Sequence, residues 1–138
     1  MVRLILDTTV LIDLERDGSL PTLINDNADI AVAAVSIAEF AYGVIAARRR
    51  RDSRAENSRR QVLDAVMRRV HVLSYTRDTA IEHAALLDHC RASGTPRGAH
   101  DLVIAAHACE TGRAIVTSDA KARFDDLPGV HVAQVHHR

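Results

Sequence analysis

Residues 2–12 read Val2-Arg3-Leu4-Ile5-Leu6-Asp7-Thr8-Thr9-Val10-Leu11-Ile12. A short, mostly apolar run stops at a carboxylate, and a second apolar run follows at once. Val2–Leu6 predicts a buried strand despite Arg3. Residues 8–16 predict a short helix, ended by Asp17-Gly18-Ser19. A strand that ends in Asp-Thr-Thr needs a reason, because an acid is an unfavourable neighbour for a core.

The alternation of short strands and helices continues along the chain. Residues 20–27 predict a second short helix, with Pro21 at its start, where proline is tolerated. Residues 30–35, all apolar and β-branched or small, predict a second strand. Ser36 opens a helix to about Ala47, and Ser36-Ile37-Ala38-Glu39 matches a capping box. The basic stretch 48–60 reads as a turn followed by another helix, which carries Val62, Leu63, Val66 and Met67 on one face. His71–Leu73 predicts a third strand, and Asp78 is expected to cap a helix over 79–92. Ser93-Gly94-Thr95-Pro96 breaks the pattern. Ala99–Thr111 is helical and Gly112 ends it. Ala114–Val116 is a fourth strand, 121–124 a short helix, Leu127-Pro128-Gly129 a turn, and 130–135 a last edge strand before the tail His136-His137-Arg138. No repeat or linker interrupts the series. The expectation is one α/β domain over residues 1–138, with a short, mostly parallel central sheet covered by helices on both faces as a three-layer α/β/α sandwich.

Composition fits that architecture. Of the 138 residues 47% are hydrophobic and only 3% aromatic, with no Trp, so the core must be built from Ala, Val, Leu and Ile. The length suffices for a core without staples. Formal net charge is zero, so global charge makes no case for a nucleic-acid partner. Seventeen of the eighteen basic residues are Arg, and Lys121 is the one Lys; Arg offers bidentate forks to phosphate. Cys90 and Cys109 form neither a CxxC motif nor a zinc spacing, and read as two reduced, partly buried thiols. No signal peptide is visible, and no apolar run approaches the roughly 20 residues of a membrane span. A soluble cytoplasmic protein is expected.

In parallel sheets, function gathers beyond the carboxyl ends of the strands. Asp7 follows the first strand. Glu39 lies in the first turn of the helix after the second, Asp101 in the first turn of the helix that feeds the fourth, and Asp119 just after the fourth. Four acids from distant parts of the chain are thereby predicted to meet on one edge. Crowded anions require protonation or bound cations. Mg²⁺ and Mn²⁺ take oxygen ligands, and such a site can deprotonate water and neutralise charge on a phosphodiester. Each acid also has a purely structural reading. Glu39 can serve as the capping-box partner of Ser36, Asp101 can complement a helix dipole, and Asp119 can be an N-cap.

Four segments in register resemble the PIN domain, specifically the small bacterial VapC-type toxins. They are Leu4 to Ile12 around Asp7; Val35-Ser36-Ile37-Ala38-Glu39-Phe40-Ala41-Tyr42-Gly43-Val44; Asp101-Leu102-Val103-Ile104-Ala105-Ala106-His107-Ala108; and Ile115-Val116-Thr117-Ser118-Asp119 with Phe124 and Leu127-Pro128-Gly129-Val130 beyond it. The resemblance spans nearly the whole chain. It implies a PIN-like fold and a Mg²⁺- or Mn²⁺-dependent endoribonuclease. It further implies a small VapB-like antitoxin that inserts into the groove, and a homodimer. Position by position, Asp7, Glu39, Asp101 and Asp119 match the acidic quartet, with Asp7, Asp101 and Asp119 as metal ligands. Thr9 and Thr117 match supporting polar positions, although Thr9 stands where Ser or Asn is common.

Arg97, near the start of the Asp101 helix, is a candidate contact to RNA phosphate. The cluster Arg48, Arg49, Arg50, Arg51, Arg54, Arg59 and Arg60 either binds RNA backbone or an acidic partner, or is a solvated face paired with Asp52 and Glu56. The eight histidines include no i, i+4 pair on a helix of the kind zinc sites use, and His100 carries no family signature. Two alternatives stand beside the nuclease. A phosphatase of the haloacid-dehalogenase type would want an acid where Thr9 stands. A PIN-like binding module would grip RNA or protein without cutting.

Overall fold

A computed structural model describes residues 1–19 and 24–133. The elements are β1 (Val2–Leu6), α1 (Thr8–Asp17), β2 (Ala28–Ala33), α2 (Ala34–Arg49), α3 (Ser53–Arg69), β3 (His71–Leu73), α4 (Arg77–Ser93), α5 (Ala99–Thr111) and β4 (Ala114–Val116), followed by two 3₁₀ turns, Ala120–Ala122 and Phe124–Asp126. The strands form one parallel sheet in the order β3-β2-β1-β4. The chain steps outward from β1 to β3 and then returns to the other side of β1. The reversal of order therefore falls between β1 and β4, where α/β sheets open a crevice at their carboxyl ends.

Both faces of the sheet are covered. Leu4 and Leu6 join Val10, Leu11, Val32, Phe40, Val66 and Val116 under α1, α2 and α3. Ile5, one residue out of phase, joins Leu86, Leu102, Ile104, Ala105, Ile115 and Phe124 under α4 and α5. Alternation along β1 thus feeds two separate cores, and each fully buried Leu or Ile contributes about 1.5–3 kcal/mol. α4 and α5 form an antiparallel hairpin; Thr79, near the start of one, bonds Glu110, near the end of the other, at 2.6 Å. Gly112, at φ +66°, ends α5 in the left-handed region and turns the chain into β4.

Several boundaries differ from expectation. β2 ends at Ala33 rather than at residue 35, because its partner β1 offers pairing only through Leu6↔Val32 before it turns away. Ala34 and Val35 pass instead into α2. That helix starts too early for a capping box at Ser36: Ala33 is its N-cap, without a side-chain bond, and Ser36 is buried with an unbonded Oγ. α4 is capped by Thr76, not Asp78, in a box closed by Thr79. Of the helix expected over 20–27, residues 20–23 lie outside the described residues. The rest is a turn in which Asn27 N–H bonds the Asn25 side chain at 2.9 Å; such Asn-to-backbone bonds compete with helix. The expected strand over 130–135 is a single parallel bridge, Ile115↔Val132, among the described residues, and 134–135 lie outside them, as does the tail. The short helix expected over 121–124 is replaced by the two 3₁₀ turns.

At the α2–α3 hairpin, Glu56 pairs with Arg48 and Arg60 at 3.2 and 3.0 Å, while Asp52 caps α3. Arg59 reaches back to the Gly43 carbonyl at 2.8 Å. Among the described residues no helix is long and apolar enough to cross a membrane. Cys90 and Cys109 are free thiols.

Candidate active site at the carboxyl end of the sheet

Asp7 stands where β1 hands over to α1, and its N–H extends the β4 ladder by bonding the Val116 carbonyl at 2.9 Å. The residue is 4% exposed. Its Oδ1 accepts the Thr8 N–H at 2.8 Å, which starts α1. Its Oδ2 accepts the hydroxyls of Thr9 at 3.0 Å and Thr117 at 2.8 Å. Those hydroxyls are oriented from behind. The Ser118 N–H donates to Thr9 Oγ1 at 3.2 Å, and the Asp119 N–H donates to Thr117 Oγ1 at 3.0 Å. With backbone donors on their lone pairs, both hydroxyls turn their hydrogens onto Asp7. Their own approach at 3.4 Å is then a contact between two committed donors. A carboxylate oxygen has two lone pairs. Oδ2 is therefore full, and Oδ1 keeps one free. Burial pushes the Asp7 carboxyl above its ordinary value, against the pull of the three donors, and the charge on Asp119 adds to the rise.

Asp119 caps the first 3₁₀ turn, its Oδ1 accepting the Lys121 N–H at 2.9 Å. Its capping role is real and leaves the second oxygen free. Asp101 lies one turn into α5, whose N-cap is Gly98. Gly98 has an ordinary extended backbone, so its φ does not call for glycine. A Cβ there would stand 3.4 Å from Asp101 Oδ2, an ordinary contact. Among the described residues no donor bonds the Asp101 carboxylate. Burial raises its pKa first, then the charges of Asp7, Asp119 and Glu39 in turn, while His100 pulls the other way. Asp101 is thus the acid that senses all the others.

Glu39 faces the cluster from α2. Its Oε1 accepts the Thr8 hydroxyl at 3.0 Å, and its Oε2 lies 3.2 Å from His100 Nδ1. Sequence reasoning disfavoured a proton-transfer role for His100 and left it out of the site. Its only signal was its position next to Asp101, and its use depends on how α5 lies against α2. Arg97 does not stand as a free cation beside the acids. Its guanidinium, only 11% exposed, donates to the carbonyls of Ala122 and Arg123 and lies 3.8 Å from Asp126.

The four predicted acids, with Thr9 and Thr117, are therefore brought to one edge. Among the described residues His100 is the only basic side chain paired with any of the four acids. No three of the surrounding acidic, imidazole or thiol groups converge as the ligands of a bare ion would. Mg²⁺ does not ask for that, because it keeps several waters and takes one or two carboxylates directly. The donor set fits such an ion: all oxygen, partly desolvated, and with His100 as its one basic neighbour among the described residues. A cavity of about 350 Å³ opens beside Glu39, Gly98, His100 and Asp101. Another, of about 330 Å³, runs from Thr8 and Glu39 along Ile12, Phe40, Gly43 and Arg59.

The fold has counterparts among known proteins. The chain is 26% identical, over 103 residues, to the tRNA(fMet)-specific endonuclease VapC of Salmonella typhimurium, which covers 75% of this chain and 73% of that one. It superposes on VapBC-5, a toxin–antitoxin system of Mycobacterium tuberculosis, with a TM-score of 0.78 at 29% identity, over 98% of this chain and all of that one. VapBC2 of Rickettsia felis, bound to a promoter DNA fragment, gives 0.81 at 20% identity over the same shares, a likeness of fold alone. The PIN domain model matches residues 4–130. That match leaves no place for the phosphatase of the haloacid-dehalogenase type, and with all four acids falling inside its span, this chain belongs to the PIN domain family.

Proposed function

We propose that this protein is a Mg²⁺- or Mn²⁺-dependent endoribonuclease, the toxin of a toxin–antitoxin pair, acting in the cytoplasm on RNA. The observation that carries the reading is the cluster of Asp7, Glu39, Asp101 and Asp119 at the sheet's switch point. The VapC relative and the VapBC structures support the choice of nuclease and of an antitoxin partner.

A divalent ion among these oxygens would supply charge neutralisation at the phosphodiester and a more acidic water. Asp7 would hold it through Oδ1, the oxygen with a lone pair to spare. Asp101 brings a carboxylate with no donor of its own, and Asp119 the oxygen that Lys121 leaves free. Thr9 and Thr117 favour the ionised form of the Asp7 carboxylate by donating to it. Glu39, tied to Thr8 and facing His100, is placed to accept a proton from water or to hold a ligand water. The oxygen of water bonds to phosphorus in line as the bond to the 3′ oxygen breaks, which leaves a 5′-phosphate and a 3′-hydroxyl. The antitoxin would occupy the cavity along Ile12 and Phe40. One of its Arg side chains would reach the acids by charge-assisted hydrogen bonds. A homodimer is the expected assembly.

The test is cleavage of labelled total RNA by purified, antitoxin-free protein, in Mg²⁺ or in EDTA, beside Asp7→Asn. Discrete products that need both the metal and Asp7, and that end in 5′-phosphate, are expected. A 2′,3′-cyclic phosphate would overturn the mechanism. Folded protein that binds RNA and cuts nothing under any divalent metal would make it a binding module.

A further inference from the structure

Arg97 directly precedes Gly98, the N-cap of the helix that carries Asp101. Its guanidinium crosses to the turn after β4, where it holds the carbonyls of both Ala122 and Arg123, the second at 2.7 Å. These carbonyls point the same way because Arg123 sits in the left-handed region at φ +49°, between the two 3₁₀ turns. Asp126 closes the arrangement, 2.7 Å from Arg123 and 3.8 Å from Arg97. The turn so pinned is the one that holds Asp119. The Ala122 N–H bonds the Asp119 carbonyl at 3.3 Å, and the Lys121 N–H bonds its carboxylate at 2.9 Å. A continuous chain of bonds thus runs from the residue before the Asp101 helix to both the backbone and the side chain of Asp119.

We propose that Arg97 is a positioning residue: it clamps the Asp119 turn to the start of α5 and so fixes the separation of Asp101 and Asp119 for the divalent ion. The inference rests on the metal-dependent nuclease reading above. The alternative role, direct contact to RNA phosphate, would need the guanidinium free, and it is engaged by two carbonyls. Like charges on Asp101 and Asp119 push these two elements apart, and carbonyls held by a guanidinium are a means to resist that push. Partners that hold metal ligands in place typically affect metal affinity by about 10–100-fold.

The experiment compares the wild type with Arg97→Met, which keeps the buried stem and deletes the guanidinium, and with Arg97→Lys, which restores a cation with several donors. Mn²⁺ affinity is read by electron paramagnetic resonance without RNA, and kcat and KM for RNA are read at low and at saturating Mn²⁺. Arg97→Met is expected to bind Mn²⁺ about 10–100-fold more weakly, to lose kcat at low metal, to recover it at high metal, and to keep KM. Arg97→Lys is expected to restore most of the Mn²⁺ affinity. Unchanged Mn²⁺ affinity with a raised KM and a salt dependence shallower by about one phosphate contact would overturn the clamp in favour of a phosphate contact. If Arg97→Met does not fold, Arg97→Gln decides, because its shorter neutral amide cannot hold both carbonyls: weaker Mn²⁺ binding supports the clamp, and wild-type binding overturns it. A wild type that neither binds Mn²⁺ nor cuts RNA would remove the nuclease reading, and the clamp with it. A wild type that does both beside an unaffected Arg97→Met removes the clamp alone.

Discussion

The two ends of this sheet treat buried charge in opposite ways. At the amino end, the side chain of Arg113 is 5% exposed and fully engaged at one nitrogen: Nη1 donates to the Leu4 carbonyl at 3.1 Å, to the Asp29 carbonyl at 2.9 Å and to the Asp29 carboxylate at 3.0 Å. Arg3 adds a second cation 3.5 Å from Asp29. The Arg113 guanidinium accordingly holds the Asp29 carboxyl below its ordinary value. At the carboxyl end, burial and the charge on Asp119 push Asp7 the other way, and burial and the charges of Asp7, Asp119 and Glu39 push Asp101 the same way, with His100 the one basic side chain in answer to Asp101 among the described residues. A paired charge under strands can be explained by the fold, since it joins β1, β2 and the start of β4. A group of like charges cannot. It lowers the stability of the protein that carries it, and it makes sense as a site that takes up a cation.

The sharpest way to break this contrast is to remove charge at each end in turn. Asp101→Asn keeps shape and deletes the acid on which the charges of the other three act. RNA cleavage is expected to fall by about 10²–10³-fold, because a bound ion contributes several kcal/mol to such a transition state. The metal-free protein should lose no stability. Arg113→Met should do the reverse. Loss of hydrogen bonds to a charged group costs about 2 kcal/mol, read as a lower urea midpoint, while kcat of the folded fraction stays within about twofold because the ends are distant and share no partners. An Arg113→Met protein that is folded but inactive would show that the two ends are coupled, and the division between them would fail.

The contrast was partly legible in the sequence, and the reasons are specific. β1 matches its predicted bounds because Asp7 ends an apolar run abruptly, and α5 matches because Pro96 and Gly112 bracket an Ala-rich segment. Asp7, Glu39, Asp101 and Asp119 could be gathered on one edge because each sits at a strand end or a helix start, and a parallel sheet sends such positions to the same side. What could not be read depended on contacts across the fold. The Glu39 capping box fitted the local pattern, but tertiary register moved the helix start to Ala34 and turned Glu39 toward Thr8 and His100. Arg97 looked like a free cation at a helix start, and only the path of residues 120–126 shows where its guanidinium goes. Arg113 and Asp29 gave no signal, because their pairing joins residues 84 apart.

A finer break concerns the hydroxyls that hold Asp7. Thr117→Val is nearly isosteric and removes one donor from Oδ2, together with the acceptor for the Asp119 N–H. A bond of that kind, to a charged acceptor, is worth about 1.5–3 kcal/mol. The donor favours the ionised carboxylate, so its loss raises the Asp7 pKa further. The acid limb of the pH–rate profile should therefore move to higher pH, with a smaller loss at its plateau. Thr9→Val should move it in the same direction. A profile that only falls in height, without a shift, would mean that the hydroxyls position the turn and do not tune the acid.

The smallest expected change is the most direct reading of the two ends: the melting temperature of metal-free protein across acidic pH. Asp101 has its folded pKa raised above its ordinary 3.8, so the stability it contributes is complete below that value and is lost as pH rises through the folded pKa. Asp29 has its folded pKa lowered from 3.8, so its contribution is complete above that value and is lost as pH falls through the folded pKa. In EDTA, Asp101→Asn should therefore melt higher than wild type at neutral pH, with the gain vanishing toward pH 3.8. Asp29→Asn should melt lower at neutral pH, and its deficit should close only below pH 3.8. Addition of Mn²⁺ should reverse the order for Asp101→Asn, because the ion stabilises only the protein that keeps the full cluster, and should leave the Asp29→Asn difference where it was. If Asp101→Asn melts below wild type in EDTA at neutral pH, the cluster is held by bonds that outweigh its repulsion, and the two ends of the sheet are alike after all.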